Sequence, residues 1–323
     1  MTDHTAKTET HAESWGLTSI VRALRESRED THNIRHRGDV RELPSRASLA
    51  NILELLSAAL FPTHYGQTDL NDESIDYFVG DKLNLALGAM FEQVRRSLLL
   101  DTLPQRPQQK SESDSELNET PERSHAETIA ARAYAITTDF AGQLGVIRDL
   151  LVTDLQAAYQ GDPAAHSISE ILLCYPGMTA IIYHRFAHAL HHLGTPFVAR
   201  LIARIAHSGT GIDIHPAAQI GGSFFIDHGT GVVIGETAIL GERVRLYQAV
   251  TLGAKRFPAD ENGTLIKGTS RHPIVEDDVV IYAGATVLGR ITIGHGSTIG
   301  GGVWLTQSVP PGSNITQAQT RDH

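Results

Sequence analysis

The chain has 323 residues, 41% of them hydrophobic and 20% charged, a size and composition suited to a globular protein with room for two folded units. A formal net charge of −10 argues against sequence-independent nucleic-acid binding, which draws its affinity from cationic side chains displacing counterions from phosphates. A single cysteine, Cys174, excludes both a disulfide framework and a Cys-rich zinc site and points to a reducing compartment.

The N-terminus, Met1-Thr2-Asp3-His4, lacks the basic start and apolar run of a secretory signal. No apolar stretch approaches the roughly 20 residues that span a bilayer, so a cytoplasmic protein with no membrane contact is expected. Residues 1–45 are polar with mixed charge and form an unassigned extension, apart from a short helical pattern near Leu17 to Leu24.

From residue 46 to 209 the pattern is helical. Leu49, Ile52, Leu53 and Leu56, then Ile75, Phe78, Val79, Leu83, Leu87, Phe91, Val94 and Leu98, recur at the three-and-four spacing of a buried helical stripe. Residues 102–123 combine prolines and charges with almost no large apolar residue, which predicts a mobile linker. Ser124-His125-Ala126-Glu127 reads as a capping box that opens a long helix, continued by Ile129, Ala133, Ile136, Phe140, Leu144, Ile147, Leu151 and Leu155 to about Tyr159. After Gly161-Asp162-Pro163, a second box at Ser167-Ile168-Ser169-Glu170 opens a short helix that Pro176-Gly177 closes. Two more helices are predicted, over Met178 to Leu193 and Pro196 to His207.

At Gly209 the period changes. Over residues 210–312 large aliphatics stand six apart, as in Val275, Ile281, Val287, Ile293, Ile299 and Leu305, with a small or aliphatic residue four places after each. Earlier members of the series are Ile214, Ile220 and Ile226, then Ile234, Leu240, Leu246 and Leu252. Six fits neither a helix nor a long strand. It means a short strand and a turn per repeat, stacked so that each coil buries its aliphatic row on the next. Two features break the repeat: a slip of two residues across Asp227-His228-Gly229-Thr230-Gly231, and an excursion over residues 254–273. Insertions in solenoids fall on one face and are often binding loops, so both breaks are candidate sites. Residues 313–323 form a short tail.

The segments GIDIHPAAQIG, FFIDHGTGVVIGETA, YQAVTLGA, RHPIVEDDVVIYAGATVLG and SVPP, in this order, together with the upstream TDLQAAYQGDPAAHS, resemble the serine O-acetyltransferases of the hexapeptide-repeat acyltransferase superfamily. The likeness covers roughly Ala126 to Pro311. It implies an α+β architecture, in which an all-helical N-terminal domain precedes a left-handed parallel β-helix. The implied reaction carries acetyl from acetyl-CoA, as co-substrate, to the hydroxyl of L-serine, the first step of cysteine synthesis, with L-cysteine as a feedback inhibitor and no metal.

That reaction needs a base for the attacking hydroxyl, and histidine titrates in the right range. By resemblance His228 is the base and Asp213, one coil earlier, holds its imidazole; neighbouring strands lie about 4.8 Å apart, within reach of a side-chain hydrogen bond. Asp162 and Asp227 would hold the serine ammonium, and Arg271 with His272 its carboxylate. Lys255, Arg256 and Lys267 in the excursion suit the CoA phosphates, and Gly253 and Ala283 match family positions near the pantetheine arm. The resemblance also implies homotrimers with sites between neighbouring chains, and the joining of two trimers. The last residues, Gln319-Thr320-Arg321-Asp322-His323, lack the terminal isoleucine by which relatives dock a sulfhydrylase, which argues against that complex.

Other readings are weighed on single features. His184, His188, His191 and His192 share one helical face, but no carboxylate joins them, so structural histidines are favoured over a metal site. Cys174 reads as a buried apolar residue. A hexapeptide acetyltransferase acting on a sugar or xenobiotic hydroxyl is the alternative within catalysis. A zinc lyase resembling γ-type carbonic anhydrase is disfavoured, because no pair among His215, His228, His272 and His295 has the spacing of its ligands.

Overall fold

A computed structural model describes residues 15–30, 43–67, 69–101, 120–256, 260–261 and 263–317. Most of the expected linker (102–119), part of the extension and the end of the tail lie outside the described residues. The chain divides into two compact units, Met1–Leu43 and Pro44–His323. In the first, α1 (Leu17–Asp30) extends the predicted pattern by six residues beyond Leu24, and its Leu17, Ile20, Val21 and Leu24 are exposed.

The second unit opens with α2 (Arg46–Leu60), whose first turn is capped by Ser45 accepting from the Ser48 amide, followed by α3 (Pro62–Tyr65) and α4 (Ile75–Asp101). The stripe of α4 is shifted relative to expectation. Ala86, Met90, Val94 and Leu98 are fully sequestered, whereas Val79, Leu83, Leu87 and Phe91 only flank the core. Helix α4 packs on α2, which buries Leu49, Ile52, Leu53 and Leu56 as predicted.

Helix α5 (Thr120–Gly161) begins four residues before the capping box at Ser124, so residues 120–123 are helical and not linker. Pro121 falls in the first turn, where its missing N–H is no loss. Its predicted row from Ile129 to Leu155 is buried throughout. Then come α6 (Ile168–Cys174), capped by Ser167 as expected, and α7 (Pro176–His192) and α8 (Pro196–Thr210). Pro176 both ends α6 and starts α7, two residues earlier than predicted, because proline fits the first turn of a helix as well as it breaks the one before. Gly211, in the left-handed conformation with φ 72°, ends α8.

The rest is a three-faced prism of parallel sheets, each strand two or three residues long. The first face stacks β1 (Asp213–Ile214), β4 (Val233–Ile234), β7 (Thr251–Gly253), β10 (Thr286–Leu288) and β13 (Trp304–Leu305). The second holds β2 (Gln219–Ile220), β5 (Ile239–Leu240), β8 (Ile274–Val275) and β11 (Thr292–Ile293). The third holds β3 (Phe225–Ile226), β6 (Arg245–Leu246), β9 (Val280–Ile281), β12 (Thr298–Ile299) and β14 (Asn314–Ile315). Each strand pairs with the third one along, the geometry of a β-helix, and a regular coil advances 18 residues, as from Val233 to Thr251. Across the first break the step is 20, Asp213 to Val233, and across the second it is 35, Ile239 to Ile274.

The aliphatic rows face inward and are almost wholly sequestered, each side chain contributing about 1.5–3 kcal/mol by burial. A buried ion pair helps to join the helices to the coils. Arg185 on α7 donates to both Asp154 oxygens at 2.9 and 3.0 Å and to the carbonyls of Ile220 and Gly221, while Asp154 on α5 also accepts from the Phe224 amide at 2.8 Å. Burial pushes the Asp154 carboxyl up, and the Arg185 cation opposes it. Among the described residues no helix is long and apolar enough to cross a membrane.

Candidate active site

The first break lies at the corner between the third and first faces. Two extra residues are taken up by left-handed backbone at His228 (φ 59°), Gly229 (φ 87°) and Gly231 (φ 81°). Gly229 is required there, because a Cβ would stand 2.5 Å from Ile212. The loop is also laddered into its neighbours. The Gly231 amide donates to Gly211 O, the Ala249 amide to Thr230 O, and the Asp227 amide to Leu246 O, each at 2.9 Å. A rigid backbone therefore presents His228 outward with 71% of its side chain exposed, its Nδ1 3.6 Å from Oδ1 of Asp227, which is only 14% exposed.

Asp162 is brought to the same corner from the turn after α5. Its Oδ1 accepts from the Ala164 amide at 2.8 Å and its Oδ2 from the Tyr175 hydroxyl. The Tyr175 bond, with the Ala164 amide second, holds the Asp162 carboxyl below its usual range, and the charge of His228 adds to this. Gly177 lets the start of α7 press against β3, since a Cβ would meet Ile226 O at 2.2 Å. That approach seats Tyr175 close to Asp227. Sequence reasoning missed Tyr175, because nothing in its spacing marks a bond that only tertiary packing creates.

Asp213 opens β1 one coil below. Its nearest basic neighbour is His207, with Nδ1 3.9 Å from Oδ2, and no hydrogen bond joins it to His228 within the single chain.

The exit of the second break lies at the next corner, between the first and second faces. Arg271 pairs with Glu236 at 2.5 Å, and its amide donates to Thr237 Oγ1 at 2.9 Å. His272 is buried, and its Nδ1 accepts from the Thr237 amide at 3.1 Å, which leaves the proton on Nε2. Gly235 leaves room for the imidazole, since a Cβ there would be 2.0 Å from the ring. Burial first, and the Arg271 cation second, push the His272 pKa down, so the ring is neutral. Glu236 and Thr237 were also missed by sequence reasoning, although they sit in the quoted GETA segment.

Gly253 ends β7, its carbonyl accepting from the Gly289 amide at 2.9 Å, and Ala283 lies in the turn after β9. Lys255 and Arg256 are exposed at the start of the excursion, Lys255 with its Cβ against Gly289, and Lys267 is exposed within it. The predicted residues thus form two groups. Asp162, Asp227 and His228 share one corner, with Asp213 a coil below; Arg271 and His272 occupy the other. A six-residue face at strand rise separates the corners by roughly 15–20 Å.

Two of the four α7 histidines are engaged locally, whereas Nδ1 of His184 and of His191 is buried without a hydrogen-bond partner. His188 Nδ1 faces Pro216 O at 2.8 Å and His192 Nδ1 faces His188 O at 2.9 Å. Among the described residues no three His, Cys, Asp or Glu side chains are arranged to hold a metal ion. Cys174 is exposed, contrary to expectation, because α6 buries only Ile171 and Leu172 and turns its C-terminal end outward.

Comparison with known proteins completes the picture. Residues 272–307 match the bacterial transferase hexapeptide family (six repeats). A plasmid-encoded serine acetyltransferase of Synechococcus elongatus is 56% identical over 310 residues, covering 95% of this chain and 92% of the relative. The Bacillus subtilis serine acetyltransferase is 46% identical over 166 residues, 51% of this chain and 72% of that one. Among solved structures, Entamoeba histolytica serine acetyltransferase 1 in complex with L-cysteine superposes with a TM-score of 0.67 at 34% identity, over 92% of this chain and 97% of that one. The solenoid is thereby the left-handed β-helix of hexapeptide repeats. On 56% identity over 95% of its length, the chain belongs to the serine acetyltransferase family.

Proposed function

We propose that His228 is the general base in the reaction of this family, the transfer of acetyl from acetyl-CoA to the hydroxyl of L-serine to give O-acetyl-L-serine and CoA. The observation that carries the reading is the laddered corner, which fixes an exposed histidine beside two carboxylates. The hydroxyl proton passes to the imidazole as the serine oxygen attacks the thioester carbonyl. A tetrahedral intermediate then collapses with cleavage of the C–S bond, and the imidazolium returns the proton to the departing thiolate. No acyl-enzyme is required. Asp227, 3.6 Å from Nδ1, supports the imidazolium in the present geometry, and Asp213 takes that role if the exposed ring turns toward the coil below.

Asp162 and Asp227 would bind the substrate ammonium. Arg271 and the Nε2–H of His272 would bind its carboxylate, and their position across the first face suggests that a neighbouring copy supplies them. The outward side of that face supports such an association, because Val233 and Trp304 remain 39% and 63% exposed in the single chain. L-Cysteine carries the same ammonium and carboxylate as serine, so it would occupy this site as an inhibitor; the L-cysteine complex of the Entamoeba relative is in keeping with that. Gly253, Ala283, Lys255 and Lys267 would contact acetyl-CoA. Assay of His228→Ala with serine, alongside the parent with a panel of sugars, tests the reading. Activity with serine should fall by about 10²–10⁴, and near-full activity, or sugars surpassing serine, would overturn it.

A further inference from the structure

Asp162 sits in an exposed turn, where a carboxylate ordinarily samples several orientations. Here both of its oxygens are engaged by one donor each, the Ala164 amide and the Tyr175 hydroxyl. A carboxylate has about four lone-pair directions, so two stay open and their aim is set by those two bonds. The amide bond is local to the turn. The phenol comes from a different element and fixes the carboxylate relative to the rest of the corner.

Tyr175 is itself held firmly. Its amide donates to Ile171 O at 3.1 Å, closing α6. Its ring packs against the core, and Pro176 and Gly177 follow at once, Gly177 so near β3 that a Cβ would meet Ile226 O at 2.2 Å. Ile226 immediately precedes Asp227 and His228. The phenol thus ties the Asp162 turn to the backbone that carries the base. Its own pKa is raised, first by the bond to Asp162, with the Asp227 charge a smaller contribution, so the hydroxyl stays protonated and remains a donor.

We propose that Tyr175 is a positioning residue that determines acceptor specificity, orienting the Asp162 carboxylate toward the ammonium of the amino-acid substrate. The assignment rests on the reading of Asp162 as an ammonium ligand. Tyr175 acts through Asp162 and takes no part in proton transfer. Its loss weakens acceptors that carry an ammonium and spares those that do not.

The experiment compares the parent protein with Tyr175→Phe and Asp162→Asn, using serine and 3-hydroxypropionate, a serine analogue without the amino group, as acceptors. For Tyr175→Phe the KM for serine should rise about tenfold, the worth of one hydrogen bond to a charged group, while kcat and the KM for acetyl-CoA change less than about twofold. Its kcat/KM for 3-hydroxypropionate should match that of the parent. If Asp162→Asn raises the KM for serine and Tyr175→Phe does not, the Tyr175 assignment is overturned while the ammonium reading stands. Equal losses with both acceptors in Tyr175→Phe would overturn it as well, since that is the signature of a structural staple. If Asp162→Asn leaves the KM for serine unchanged, the ammonium reading fails and this assignment falls with it.

Discussion

The two interruptions of the solenoid are built in opposite ways. At Asp227 to Gly231 only two residues are added, and the backbone of Asp227, Thr230 and Gly231 is bonded to neighbouring coils or to the end of the last helix. At the excursion the coil step grows from 18 to 35 residues, and the described part of the loop is largely exposed until Arg271 and His272 are gripped by Glu236 and Thr237. The short break fixes the backbone from which one side chain projects. The long break offers surface, then regains order at its exit. Rigid placement suits a base that must meet a hydroxyl, whereas a long loop suits a large co-substrate.

The sharpest way to break this contrast is Gly229→Val. It places a β-branched residue at φ 87° with its Cβ 2.5 Å from Ile212, combining backbone strain with overpacking. Together these cost about 3–5 kcal/mol. A fall in the denaturation midpoint, with acetyl transfer reduced at least as severely as in His228→Ala, is expected. An unperturbed midpoint would show that the corner is not rigid.

Acid sharpens the same contrast through the second corner, where His272 is buried and His215 half-buried. His215, whose Nδ1 accepts from the Ala217 amide at 3.1 Å, is pushed down to about 4, chiefly by desolvation and next by the Arg200 cation. The unfolded chain titrates this group near 6.5, so it binds more protons than the folded chain between about 6.5 and 4. Stability from this group is present above about 6.5 and is lost as pH falls toward 4. The Tm should therefore drop between pH 7.5 and 5, and His215→Asn should flatten that slope. An unchanged slope in the variant would remove His215 from the explanation.

Much of the fold was legible because its cause is local and repeated. Each inward position of a coil must be an aliphatic of similar size, so Val275, Ile281 and Val287 announce themselves by spacing alone. The row along α5 was legible for the same reason. Boundaries were less so. Ser124 and Glu127 satisfy a capping pattern yet lie inside α5, because a serine and a glutamate three apart are also compatible with a helix interior. The site was half legible. The DHGTG slip shows as a broken period, but the bond from Tyr175 to Asp162 and the grip of Glu236 and Thr237 on the loop exit depend on contacts between distant segments. Cys174 was misread because composition does not say which side of a one-turn stripe faces out.

The separation of the two corners makes the central claim directly testable: one serine site is completed by two chains. His228→Ala and Arg271→Ala chains, each with little activity alone, are co-expressed in equal amounts and the mixed oligomers purified. Random assortment around a cyclic oligomer leaves about one quarter of the sites with an intact His228 from one chain and an intact Arg271 from its neighbour, so about one quarter of parental activity should return. Mixed oligomers no more active than the sum of the two variants would contradict the account and place both corners of each site on a single chain.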